Sequence, residues 1–182
     1  MDNLTATLMI VGGVAAFLAV QILLLSLLKK NRAALVVVAV VFFVLGIWLC
    51  VRISGGKLSA LGDVVGLAGI FFFAVPMLFA SGRAGDFVLA MKVVFAKKPA
   101  QIKELKASRD ALGLLEKLVI FGSVAVFLIG LTSIFNYLED YSAIFPNLAI
   151  ALLPLLYAVI LCSAIACVRS VIDSKLADEE AV

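Results

Sequence analysis

The stretch that decides the fold is "FGSVAVFLIGLTSIFNYLEDYSAIFPNLAIALLPLLYA", residues 121–158. Two apolar runs flank a short acidic turn at Glu139 and Asp140, and neither run carries a charge. Apolar segments of about 20 residues are read as membrane helices, because lipid obliges the backbone to satisfy its own hydrogen bonds. A turn this short makes the two helices antiparallel neighbours. The hairpin therefore reads as two consecutive membrane spans.

Working outward, the same pattern covers most of the chain. Of 182 residues, 65% are hydrophobic and 15% charged, with a mean hydropathy of +1.23. That excludes an ordinary soluble domain. Five runs are long enough to span: 4–28, 34–51, 61–80, 118–137 and 146–168. The expected fold class is all-α, a polytopic membrane protein with five transmembrane helices. At the N-terminus Asp2 precedes the apolar run and the basic cluster "KKNR" (29–32) follows it. This is the reverse of a secretory signal, so the reading is a retained helix.

The loops assign sides. Residues 81–117 hold eight Lys/Arg against four Asp/Glu, and 29–33 hold three basic residues and no acid. The Lys/Arg bias places both segments and the C-terminal tail in the cytoplasm, with the N-terminus outside. "GDFVLAMKVVFAKKP" reads as a short interfacial helix ending at Pro99. No proline lies between Pro99 and Pro146. One long helix is thus predicted from the cytoplasmic "AQIKELKASRDALGLLEK" into the fourth span. The fifth span likewise runs on through "RSVIDSKLADEE", so two long helices extend into the cytoplasm.

The chemistry-bearing residues are sparse. Histidine is absent, and Cys50, Cys162 and Cys167 sit in or at the end of apolar runs, where thiols pack as small hydrophobes. "SGGK" (54–57) is no phosphate loop, since Val51 stands where its first glycine belongs. Neither an enzyme, a cofactor, a metal site nor nucleic-acid binding is expected. Gly62, Gly66 and Gly69 form a small-residue pattern suited to close helix packing. Gly122 and Gly130 do the same in the fourth span, and Ala151 and Ala158 in the fifth. Ser123, Thr132 and Ser133 bear hydroxyls in the fourth span, which either bond back to their own helix or border a narrow polar path. Pro154 frees the Ile150 carbonyl. Asp63, beside a span start, is weighed as an ion ligand against a carboxylate that stays hydrated at the outer interface.

From the second span onward the chain resembles the MotA/TolQ/ExbB family. "ISGGKLSALGDVVGLAGIFF" resembles an external loop and helix of flagellar MotA proteins, and "FVLAMKVVFAKKP" the interfacial helix after it. Residues 121–158 are similar to the paired pore helices. The resemblance covers about residues 34–170, which makes 34–182 a four-helix membrane domain and 1–33 an additional helix and basic loop.

It implies a homo-oligomeric ring, a pentamer in the family, around a single-span partner of MotB/TolR/ExbD type with an intramembrane aspartate, in a bacterial inner membrane. Ser123, Thr132, Ser133, Pro154 and Tyr157 would then face the pore. The hydroxyls would hydrate or relay, Pro154 would shape the helix, and Tyr157 would pack or gate. Pro154 and Leu155 stand where the family carries a hydroxyl pair. Fewer oxygen ligands favour protons over sodium. The function implied is a ring subunit of a proton-driven motor, and the competing reading is a non-conducting scaffold of the same fold.

Overall fold

The computed structural model describes residues 16, 19–24, 32–53, 61–95, 101–137 and 141–180. The first expected span, 4–28, lies mostly outside them, as does the acidic part of the hairpin turn. Among the described residues the chain is almost entirely helical, with no strand. It divides into two compact units, Met1–Ala60 and Leu61–Val182.

In the first unit, α1 runs Arg32–Ile53 over the expected second span. Val37, Val41 and Trp48 on it are exposed, while Phe42 is buried.

The second unit holds α2 (Val64–Ala80), α3 (Ala84–Phe95), α4 (Ile102–Tyr137) and α5 (Ile144–Glu180). A 3-10 turn at Tyr141–Ala143 leads into α5. With 36 and 37 residues, α4 and α5 are each about 55 Å long at 1.5 Å per residue, well beyond a ~30 Å hydrocarbon core. These two helices are long and apolar enough to cross a membrane, and the bent α2–α3 pair makes a third only when the two are taken as one span. The molecule is therefore a helical membrane protein with two to three spans among the described residues, where the sequence predicts five. On its own α2 has 17 residues, about 25 Å, just short of the core thickness.

Between α2 and α3 the chain bends by 102°. Gly82 makes the corner at φ +73, a left-handed conformation that a side chain would strain. The Ser81 and Gly82 amides donate to the Met77 and Phe79 carbonyls, each at 3.0 Å, which closes the end of α2. At the start of α4, the Gln101 amide reaches Glu104 Oε2 at 3.4 Å, one half of a capping box.

The core lies where α2, α4 and α5 meet. Its centre is Ile70, Ala74, Val119 and Ala158, with Leu161 and Ile165 packed against it. The buried stripe of α2, Gly66, Ile70, Ala74 and Leu78, repeats every four residues and so stays on one face. Glycine sets the close approaches. A Cβ at Gly69 would lie 2.8 Å from Val126 Cγ2, and one at Gly122 would lie 3.2 Å from the Ile70 carbonyl. One at Gly130 would meet the Ala151 Cβ at 3.3 Å.

Beyond the apolar stretches, ion pairs tie the extensions of α4 and α5. Lys106 Nζ meets Glu180 Oε1 at 2.9 Å, and Arg109 Nε lies 2.9 Å from Asp173 Oδ1, though without hydrogen-bond geometry. All four side chains are partly exposed, so each pair contributes ~0.2–1 kcal/mol. Lys175 of α5 also donates to the Val93 carbonyl at 2.6 Å, near the end of α3.

Candidate functional site

The candidate site is the α4–α5 hairpin and the helix it packs against. Its apolar stretches, 118–137 and 144–168, hold no Asp, Glu, Lys, Arg or His. Any polar chemistry within them falls to hydroxyls, thiols, backbone and the side-chain amides of Asn136 and Asn147 at the ends nearest the turn.

Hydroxyls in a helix find the nearest carbonyl, one turn back, because nothing else in lipid competes for the proton. Ser123 Oγ donates to the Ile120 carbonyl at 2.8 Å and is 1% exposed. Thr132 and Ser133 donate to Leu128 at 2.8 Å and Ile129 at 2.9 Å, and both are exposed. Ser163 on α5 does the same to Val159 at 2.7 Å.

Pro154 and Tyr157, three residues apart, share a face of α5, and that face looks toward the start of α2. A Cβ on Gly66 would come within 3.0 Å of Pro154 Cγ. The Tyr157 hydroxyl accepts from the Asp63 amide at 2.8 Å and donates to the Leu61 carbonyl. Asp63 is the N-cap of α2, and its Oδ1 accepts from the Val65 amide at 3.1 Å. This pairing satisfies a helix N-terminus whose first amides have no partner within their own helix. The carboxylate weighed as an ion ligand is thus engaged as a helix cap.

The five residues predicted for a pore face are not brought together within one chain. Ser123 and Pro154 are buried and Tyr157 is half-buried against α2, while Thr132 and Ser133 face outward. Among the residues predicted for packing, Gly66, Gly122, Ala151 and Ala158 are buried and Gly69 and Gly130 half-buried; Gly62 is exposed. Cys162 lies half-buried with its Sγ 3.7 Å from the Glu116 carbonyl, and none of Cys50, Cys162 and Cys167 forms a disulfide. Among the described residues no three His, Cys, Asp or Glu side chains cluster as metal ligands.

Sequence reasoning passed over a second polar feature at the basic end of the hairpin. Arg83, Arg109, Lys117 and Arg169 converge there with Asp110 and Glu116. The available signal was positional, since three of these cations stand at the edge of an apolar run.

The chain matches no family model, no curated protein and no solved structure.

Proposed function

We propose that this protein is a ring-forming subunit of a proton-driven motor or energy-transducing complex, conducting ions together with a single-span partner that carries the titrating acid. The carrying observation is a helical hairpin long and apolar enough to cross a membrane, without an ionisable carboxylate, amine or imidazole in its apolar stretches. A wall of this kind cannot bind and release protons, so conduction along it requires an acid from another chain. Apart from Thr132 and Ser133 its outward faces are largely apolar, with Phe121, Phe135 and Val159 exposed, and they are free to meet lipid or neighbouring copies. On this reading the chain has five spans in a bacterial inner membrane, N-terminus outside and C-terminus cytoplasmic, and five copies surround the partner.

The second reading, a non-conducting scaffold, is favoured by Ser123, Pro154 and Tyr157. Each is engaged inside the subunit, where it can support helix packing without touching an ion.

Two measurements test the proposal. Imaging the purified full chain in lipid nanodiscs is expected to show a pentameric ring, and a monomer would overturn it. Proton flux in liposomes holding ring and partner is expected to vanish when the partner's acid is neutralised. A ring with no acid-dependent flux is the scaffold.

A further inference from the structure

The second unit contains a cleft of about 580 Å³ between the α2–α3 corner, α4 and α5. Four cations, Arg83, Arg109, Lys117 and Arg169, line it against two carboxylates, Asp110 and Glu116.

Their position along the helices is what distinguishes the cleft. Arg83 is the first charge after the apolar run of α2, which ends at Ala80. Lys117 is the last charge before the apolar run of α4, and Arg169 the first after that of α5. Three helices therefore each place a cation at the boundary of their apolar segment, and folding gathers all three at one opening. In a bilayer that boundary is the level of the lipid phosphates. Ile120, three residues into the apolar run of α4, lines the same cleft and lies 46% exposed. A headgroup seated among the cations would leave its glycerol and acyl chains against such a surface.

The internal ion pairs leave donors available. Arg83 Nη1 stands 3.5 Å from Asp110 Oδ2, and Arg169 Nη1 stands 3.5 Å from Glu116 Oε2, both long contacts. Lys117 is exposed and lies in no ion pair among the described residues. The Arg169 guanidinium lies close against α4 at Gly113, where a Cβ would sit 3.4 Å from Nη1 in ordinary van der Waals contact. Guanidinium groups bind phosphate oxygens through two parallel hydrogen bonds, and the excess of cations over carboxylates in the cleft disfavours a headgroup that carries its own ammonium charge.

We infer that this cleft is a binding site for the phosphate of an anionic phospholipid. Basic pockets between membrane helices on the Lys/Arg-rich side bind anionic headgroups by this chemistry. The inference rests on the membrane embedding of the helices and is independent of ring formation or ion conduction.

Native mass spectrometry of the detergent-solubilised full chain, titrated with phosphatidylglycerol, phosphatidylcholine or inorganic phosphate, tests it. Phosphatidylglycerol should bind at least ten-fold tighter than phosphatidylcholine. Lys117→Gln and Arg169→Gln should each weaken phosphatidylglycerol about five-fold, the effect of one cation near a membrane surface. Lys103→Gln removes the same charge outside the cleft and should change nothing. Should Arg169→Gln misfold, Lys117→Gln alters only an exposed side chain and still decides. Equal binding of the two lipids overturns the site, and so does an equal effect of Lys103→Gln and Lys117→Gln. Inorganic phosphate binding with Lys117 dependence while phosphatidylglycerol does not bind would assign the cleft to a free anion and overturn the lipid assignment.

Discussion

The hydroxyl of Tyr157 receives the backbone amide of Asp63 at 2.8 Å across 94 residues of sequence. The same oxygen gives its proton to the Leu61 carbonyl, so one side chain of α5 pins the entry into α2 from both sides. Tyr157→Phe keeps the ring and deletes both bonds. Half-buried backbone groups left without partners cost about 1–3 kcal/mol. The variant should unfold at correspondingly lower denaturant, and hydrogen exchange should rise at residues 61–65 while α4 stays protected. Unchanged exchange there would mean that Tyr157 is not the clamp.

Gly69 and Val126 offer a test of helix approach. A Cβ at Gly69 falls 2.8 Å from Val126 Cγ2, closer than two carbons tolerate. Gly69→Ala is expected to destabilise by about 1–3 kcal/mol through overpacking. Adding Val126→Ala should recover much of that loss, which a double-mutant cycle measures directly. A Cβ at Gly46 of α1 would meet nothing within 4 Å among the described residues, so Gly46→Ala should instead stabilise by roughly 0.5–1 kcal/mol.

Ser108 is fully buried on α4 and its Oγ has no hydrogen-bond partner among the described residues. Replacing it with alanine removes a desolvated hydroxyl and should stabilise the protein by about 1 kcal/mol. Ser123 is equally buried but bonded to Ile120, so Ser123→Ala should give no such gain. Opposite responses in one thermal-unfolding series would separate the two. A loss at Ser108 would mean that its hydroxyl has a partner after all.

Thr132 and Ser133 test where an ion path would run. Both are exposed and bonded only to their own helix, so a Thr132→Ala/Ser133→Ala double variant should change stability by no more than ~0.5 kcal/mol per site. If these hydroxyls border an ion path in the assembled ring, partner-dependent proton flux should fall by roughly ten-fold, the worth of one hydrogen bond of about 1.4 kcal/mol. Undiminished flux would remove them from the path.

Much of the fold was legible because local rules govern it. The long helices α4 and α5 follow from unbroken apolar runs continued by good helix formers, whereas the elbow at Gly82 between α2 and α3 was not read from the sequence. The partners of individual side chains were not legible. Tyr157 stands in a motif that resembles a pore lining, and only the packing of α5 on α2 shows its hydroxyl against Leu61 and Asp63. Arg83, Lys117 and Arg169 are each ordinary boundary cations in the sequence, and nothing in their spacing announces that they share a cleft.

By itself the sequence determined that this is a helical membrane protein, because hydrophobicity and backbone hydrogen bonding act over a few turns of chain. It also determined which ends of the helices are basic. Tertiary structure alone decided which faces touch, since contacts such as Gly66 to Pro154 and Gly69 to Val126 depend on crossing geometry between distant segments. It also decided that Asp63 caps a helix and that Ser123 is enclosed, because burial and partnership are properties of the packed helices together.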